Sequence, residues 1–148
     1  MRIVGHLDLP DADDVLKRKN LELGGAVQIW LDSQVIRLCE PYVPFDKGVL
    51  TASAYTATNV GSGEVVYNTP YAHYQYYGQV YGPNIPMVIG GEQTFRSPAN
   101  AVKQPTGAML QYNKEVHPLA GSFWFERMKA DHLDDLLRGT KKAAGVIE

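Results

Sequence analysis

Residues 21–39 read LELGGAVQIWLDSQVIRLC, and their hydrophobic side chains recur every three or four positions. This period is typical of an amphipathic α-helix with one buried face, and the side chains on that face are Leu23, Val27, Trp30, Leu31, Val35 and Leu38. Gly24 and Gly25 each weaken a helix by about 1 kcal/mol relative to alanine, so we expect a kink there or a helix that begins after them. The helix should end at Glu40, because the residue before a proline avoids the helical conformation.

A second main helix is predicted near the C-terminus, after Gly121. Ser122 is the expected N-cap, and Glu126 lies in the first turn, where the positive end of the helix dipole favours a carboxylate. Gly139 is the expected end of the helix. One face of the helix is formed by Phe125, Met128, His132 and Leu136, and we expect Trp124 and Phe125 to anchor the helix in the core.

The region between the two helices predicts further secondary structure. Residues 55–60 and 64–68 are rich in Thr, Val and Tyr and are joined by Gly61-Ser62-Gly63, a pattern that predicts a β-hairpin. Before this hairpin, residues 41–54 predict a loop followed by a helical turn. The elements together predict an α+β fold, in which two main helices pack on a small, mostly antiparallel sheet within a single domain over residues 1–148.

The N-terminal residues predict a short element and a helix start. Residues 3–9 predict a short strand or an arm that ends before Pro10. The acidic cluster that follows is interpreted as a helix start rather than a calcium site, because the glycine and the downstream glutamate of a calcium loop are missing. The cluster consists of Asp11, Asp13 and Asp14.

A tyrosine-rich segment follows the predicted hairpin. Residues 71–77 predict about two helical turns between Thr69-Pro70 and Gly78, with a strand as the alternative. Five tyrosines lie between positions 71 and 81, and such clusters occur in cores, in interfaces and in stacking platforms for single-stranded nucleic acid. A stacking platform needs a basic groove, whereas the nearest cations in sequence are Lys47 and Lys103, so the pattern disfavours nucleic acid.

Residues 79–120 are interrupted by prolines and show no sustained hydrophobic period. A segment of this length without regular structure is unusual in a compact domain and is often functional. Short hydrophobic pieces such as Pro86-Met-Val-Ile89 and Ala108-Met-Leu110 predict a long extended insertion, with room for a hairpin, that buries its hydrophobic side against something else.

The composition indicates a protein that recognises its partners by shape and apolar contact. The chain has 14 Lys and Arg against 16 Asp and Glu, a formal net charge of −2, so we expect no general attraction to nucleic acid or to an anionic membrane. It contains no signal peptide and no run of about eighteen apolar residues, which predicts a soluble protein. A single cysteine excludes an internal disulfide and fits assembly in a reducing cytoplasm.

No residues are spaced as catalysis, a cofactor or a metal ion would require. Cys39 lies in the first helical pattern, which favours a small buried residue over a nucleophile, and a catalytic pair with His73 or His117 stays open but unsupported. The four histidines are scattered singly, so zinc and iron sites lack support. The glycines lack the spacing of a phosphate loop, and nothing holds Asp32, Glu40 and Asp46 in the geometry of glycoside cleavage. We therefore expect no enzyme.

The order of several motifs, rather than any one of them, resembles small structural proteins of tailed bacteriophages. Residues 41–53, PYVPFDKGVLTAS, and residues 67–78, YNTPYAHYQYYG, resemble the pattern of phage neck and tail-completion proteins. Residues 106–114, TGAMLQYNK, and residues 117–132, HPLAGSFWFERMKADH, resemble the minor capsid proteins of phages and prophages of Gram-positive bacteria. An acidic residue often precedes the glycine of the tail-completion pattern, whereas Tyr77 precedes it here, which indicates the minor capsid branch.

The resemblance implies a structural virion protein, either a minor capsid protein or a head-to-tail connector or tail-completion component. Its partners would be other virion proteins, and its copies would form a homo-oligomeric ring in the particle, with a monomer in isolation still open. Assembly would take place in the bacterial host cytoplasm, without cofactors, membrane contact or sequence-specific nucleic acid binding. A host-interaction or regulatory binding module and a small hydrolase that uses Cys39 are the second and third interpretations.

The resemblance also implies roles for particular residues. Residues 79–120 become an arm offered to neighbouring subunits, and the candidate assembly interface consists of Tyr74, Tyr77, Tyr81, Ile85, Met87, Ile89, Met109 and Leu110. Asp46, Gly48 and Ser53 would form a capped turn where the chain enters the sheet. Pro70, Tyr71 and Ala72 would mark its return to the core, and the other structural positions are Gly78, Trp124 and Phe125.

Overall fold

The computed structural model describes residues 1–4 and 20–146, without the side chains of residues 2–4. Its helices are α1 Ala26–Cys39, α2 Val49–Ala57, α3 Ala72–Tyr77 and α4 Trp124–Ala143, with a 3-10 turn at Glu40–Tyr42. Its strands are β1 Arg2–Val4, β2 Glu64–Val66, β3 Gln79–Gly82, β4 Ile85–Ile89, β5 Glu92–Arg96 and β6 Gln104–Met109. The predicted α+β class is confirmed. The acidic cluster Asp11, Asp13 and Asp14 and most of the predicted N-terminal strand or arm lie outside the described residues.

Helix α1 begins and ends as the sequence predicts. Gly25 is its N-cap, so the helix starts after the glycine pair, and the chain passes from Cys39 into the 3-10 turn that contains Pro41. Its buried residues are Val27, Asp32, Ile36 and Cys39. The helix packs along α4, and the core beside this contact is completed by Tyr42, Val43, Leu50, Ala54, Val65, Tyr67, Ala72, Tyr76, Trp124, Met128 and Leu136.

Two predictions about the boundaries of α4 are wrong. Its N-cap is Phe123 rather than Ser122, and Phe123 adopts a left-handed backbone conformation with a φ of 49°. The N–H of Phe123 donates to the carbonyl of Tyr76 at 2.8 Å, so a contact with α3 fixes the helix start. The helix also continues past Gly139 to Ala143. Gly139 lies under the ring of Trp30, and this close approach explains the glycine without a helix end.

The predicted hairpin over residues 55–60 and 64–68 is wrong. Residues 55–57 continue α2, whose buried side carries Leu50, Thr51, Ser53 and Ala54, while β2 pairs with β1 in antiparallel register. Burial of one side of α2 outweighs the strand preference of Tyr55 and Thr56, because tertiary packing commonly overrides local propensity.

The strands form three separate two-stranded antiparallel sheets rather than one small sheet, with the pairs β1–β2, β3–β6 and β4–β5. The β4–β5 hairpin, residues 85–96, is closed by Gly90 and Gly91, whose φ values are 63° and 88°. A two-residue hairpin turn with two positive φ angles suits glycine. Residues 79–110 therefore form a β3–β6 base from which the β4–β5 hairpin extends.

Candidate assembly surface

Helix α3 connects the core to the β3–β6 base. Ala72 and Tyr76 are buried on one side, whereas Tyr74 and Tyr77 are exposed on the other. The helix ends at Gly78, which has the left-handed φ of 69° that glycine adopts without strain. The chain then enters β3 directly, so α3 sets the position at which the β3–β6 base leaves the core.

Ring contacts tie the exposed tyrosines to the core. Tyr76 lies edge to face with Trp124 at a centroid distance of 4.6 Å, and Trp124 in turn packs on Tyr67 at 5.2 Å. On the outer side, Tyr77 contacts Phe123 at 5.6 Å. Such edge-to-face contacts add about 1 kcal/mol each beyond the area they bury. The exposed rings are therefore held in place rather than loosely displayed.

Two tyrosine hydroxyls fix α3, one to α4 and the other to the segment that follows β6. The Tyr76 hydroxyl donates to the Glu126 carboxylate of α4, and burial together with this hydrogen bond raises the pKa of Tyr76. The Tyr112 hydroxyl donates to the Gln75 carbonyl at 2.6 Å. The backbone N–H of Leu110 donates to the Gly78 carbonyl at 2.8 Å, so the start of β3 and the end of β6 are joined next to α3.

The β4–β5 hairpin leaves both of its faces uncovered by the described residues. Residues paired across the ladder share a face, so Val88 and Phe95 lie on one side, and Ile85, Met87 and Ile89 on the other. Val88 is 72% exposed, Phe95 64% and Ile89 61%. Isolated two-stranded sheets are marginally stable in water, and exposed clusters of large apolar residues mark contact sites. The exposed apolar residues of the hairpin are therefore typical of a surface that contacts another protein.

The structure distributes the eight candidate interface residues over four neighbouring elements. Tyr74, Tyr77 and Tyr81 lie on α3 and β3, where Tyr74 and Tyr81 contact each other at 4.6 Å. The other five lie on β4 and at the end of β6, namely Ile85, Met87, Ile89, Met109 and Leu110. None of the eight is buried. Sequence reasoning missed Phe95 and Val102, because each stands singly among polar or small residues and gives no periodic signal.

A groove of about 320 Å³ is lined by residues from three of the phage-like motifs, namely residues 41–53, 67–78 and 106–114. One wall is residues 44–50, the second is Tyr71 and Gln75, and the third is residues 111–113. Phe45 and Tyr112 are half-buried in this region, whereas Val49 and Tyr71 are exposed. The groove is therefore a partly apolar depression of the surface, and no residue of the β4–β5 hairpin lines it.

The motif residues do not all have the predicted surroundings. Gly48, with a φ of 77°, is the N-cap of α2, so the predicted turn leads into a helix and not into a sheet. Asp46 is exposed beside it, and the Ser53 hydroxyl donates to the Leu50 carbonyl within the helix instead of capping a turn. Pro70 and Tyr71 are exposed, so the return to the core begins only at Ala72.

Helix α4 contains both predicted anchors, Trp124 and Phe125, but they are buried to different extents. Trp124 is completely buried and contacts two tyrosine rings. Phe125 is only half-buried, with the Lys129 ammonium 5.8 Å from its ring centre. Of the two, Trp124 therefore contributes more apolar area to the core.

Asp32 is a buried carboxylate with a structural role that the sequence did not indicate. One oxygen accepts from the Gln28 amide at 2.7 Å, and the other accepts from the backbone N–H groups of Gly61 and Gly63 at 2.7 and 3.1 Å. The carboxylate thereby fastens the glycine turn before β2 to α1. Its place on the otherwise apolar helix face was the available signal.

Two of the groups considered for catalysis, Cys39 and His117, have structural contacts instead. Cys39 is buried, and burial raises the pKa of its thiol to about 12, which leaves almost no thiolate at neutral pH. The His117 ring nitrogen Nδ1 lies 2.8 Å from the Val43 carbonyl. Within residues 1–4 and 20–146, no three His, Cys, Asp or Glu side chains are grouped so that they could hold a metal ion.

A profile of the family described as "Minor capsid protein" matches residues 3–144, nearly the whole chain. The chain belongs to the minor capsid protein family. The resemblance to minor capsid proteins is thus confirmed. Neither the curated proteins nor the solved structures contain a significant match to this minor capsid protein.

Family membership makes this minor capsid protein a structural component of the phage virion, in contact with other virion proteins. A structural capsid family also argues against catalysis, in keeping with the buried thiol. Among the described residues, no helix combines the length and the hydrophobicity needed to cross a membrane.

Proposed function

We propose that this minor capsid protein acts at the joint between the phage head and tail, where its copies form a ring through residues 79–110. The observation that carries the proposal is the β4–β5 hairpin, because no part of the chain that the structure describes covers either of its two faces. Covering them with neighbouring proteins offsets the entropy lost when the hairpin is ordered. The motif resemblance to neck and tail-completion proteins supports the location.

The aromatic cluster on α3 supports the same role. Tyr74 and Tyr77 are exposed, and ring contacts hold them in place. Tyrosine supplies a large contact area at a low cost in side-chain entropy, and it is enriched in protein interfaces. The cluster and the hairpin are joined through β3, so one partner surface can engage both.

The near-neutral charge is compatible with a ring of identical copies. A net charge of −2 gives little repulsion between neighbouring subunits. A closed ring repeats the same contact around an axis and so gains strength from modest individual contacts. On this proposal the virion components assemble in the host cytoplasm. The chain is a single domain, and its residues 79–120 form the arm that contacts neighbouring subunits.

The proposal is tested by removing the hairpin without opening the base. Gly82 pairs with Gln104, so an Asn-Gly turn in place of residues 83–103 joins β3 to β6. The shortened chain should melt cooperatively within a few degrees of the parent, because none of the replaced residues belongs to the core. A phage that carries the deletion should accumulate heads and tails that are not joined.

The matched control is Gly90→Asn, which keeps the hairpin because asparagine tolerates the left-handed conformation at that position. This variant should give the parental yield of joined particles. A parental yield from the deletion would refute the proposed role. A shortened chain that fails to fold would also contradict it, since the hairpin would then be part of the folding core.

A further inference from the structure

The charges of the β4–β5 hairpin lie on one of its two faces. The pairs Ile85–Arg96, Met87–Thr94 and Ile89–Glu92 share a side of the ladder. This isoleucine face, defined by these six residues, therefore has an apolar centre with a cation at the base of the hairpin and an anion at its tip. The opposite face carries Pro86, Val88, Gln93 and Phe95 and has no charge.

The groove is similar in composition to the isoleucine face, because it also combines apolar side chains with one acidic and one basic residue. Its walls contain the rings of Phe45, Tyr71 and Tyr112, and its charged residues are Asp46 and Lys47. Its volume of about 320 Å³ falls within the range of pockets that enclose an apolar group of some size. The hairpin of the same chain does not line the groove.

The four charged side chains are available for an external partner. The salt bridges found among the described residues involve His132, Asp135 and Arg138. Asp46, Lys47, Glu92 and Arg96 make none with that part of the chain. Each surface therefore presents one acid and one base beside apolar side chains, on the hairpin at opposite ends of the isoleucine face and in the groove at adjacent positions of one wall. Arginine forms strong paired hydrogen bonds with carboxylates.

We propose that the isoleucine face of one copy docks in the groove of a second copy, with Arg96 beside Asp46 and Glu92 beside Lys47. The inference rests on the proposed function and names the contact between ring neighbours. Donor and acceptor surfaces differ, so the contact is head to tail. Such contacts generate a closed ring when the rotation between neighbours closes. The Phe95 face stays free for another virion protein.

Charge reversal in two separate chains tests the contact. Sedimentation velocity of the purified full-length chain should show self-association that weakens by about tenfold or more in Arg96→Glu and in Asp46→Arg, because each creates a like-charge contact. All three chains should have the same melting temperature, since both residues are exposed. Mixing the two variants should restore association, because each then offers the other a complementary surface.

Neighbouring residues on opposite faces of the hairpin provide the matched pair. Ile89→Ser removes an apolar contact from the docking face and should weaken association, whereas Val88→Ser changes the other face and should leave it unchanged. Equal effects of the two serine variants would overturn the proposal. A mixture of the charge variants that stays monomeric would overturn it as well.

The outcomes separate this contact from the proposed function. A parent chain that remains monomeric up to its solubility limit overturns the contact between copies. If the hairpin deletion still prevents joining of heads and tails in that case, the role at the joint stands, and the hairpin docks on a different virion protein.

Discussion

The ring of Trp30 on α1 lies against the backbone of Gly139 on α4, at a point where a Cβ atom would overlap the indole. The two helices therefore come into close contact at a position where one residue has no side chain. Glycine within a helix is about 1 kcal/mol less favourable than alanine. The close packing of Trp30 offsets this loss.

Gly139→Ala should destabilise the protein by roughly 1–3 kcal/mol, because overlap with the ring outweighs the gain in helix propensity. Urea denaturation measures the free energy of unfolding. In a Trp30→Ala background, the same substitution should become neutral or stabilising, because the overlap is gone. A stabilising effect of Gly139→Ala in the parent would contradict the observed packing.

Asp32→Ala should lower the free energy of unfolding by about 1–3 kcal/mol, since it leaves the buried N–H of Gly61 and the N–H of Gly63 without their acceptor. The control is Asp135→Ala on α4, whose exposed ion pair with Arg138 should contribute less than about 1 kcal/mol. Similar losses from the two variants would mean that the Asp32 carboxylate does not hold the glycine turn.

Trp124→Ala should cost roughly 3–5 kcal/mol, because the side chain is completely buried and contacts two aromatic rings. Phe125→Ala should cost less, as Phe125 is half-buried. Leu133→Ala, on the exposed side of the same helix, serves as the control and should have a small effect. Thermal melts and urea curves of the three variants give the order. A Trp124 variant that melts like the Leu133 variant would contradict the described core.

Stability should fall at alkaline pH. Burial raises the pKa of Cys39 from 9.0 to about 12, and burial with the hydrogen bond to Asp131 raises that of Tyr42 from 10.0 to about 12. Both groups hold their protons more tightly in the folded state. Their contribution is therefore complete below pH 9 and is lost as the pH rises towards about 12.

Urea denaturation across this range measures the loss, and Cys39→Ala should reduce the slope above pH 9 relative to the parent. The native thiol should also resist alkylation at neutral pH and react only after unfolding. Rapid stoichiometric labelling of the folded chain would be incompatible with the buried environment of Cys39.

The sequence predicted best where local signals acted alone. The glycine pair before α1, Pro41 after it and Gly78 after α3 each set a boundary through backbone conformation, which depends on adjacent residues. Family membership was also predictable from the sequence, because the family's motifs occur in the expected order along the chain.

Predictions failed where a distant residue decides the local structure. Gly139 was predicted to end the helix, but its lack of a side chain is explained by the contact with Trp30. Ser122 was predicted as the N-cap, but the hydrogen bond from Phe123 to Tyr76 makes the helix begin one residue later. Likewise, residues 55–57 join a helix because α2 is buried along one side. The groove was not predictable for the same reason, since its walls come from three separated segments.

The most direct test of the central claim is electron cryomicroscopy of the phage neck at a resolution that shows side chains. We expect several copies of this minor capsid protein around the axis between head and tail, each with its β4–β5 hairpin ordered against neighbouring protein on both faces. Copies found away from that joint, or hairpins that extend into solvent without a neighbour, would contradict the account.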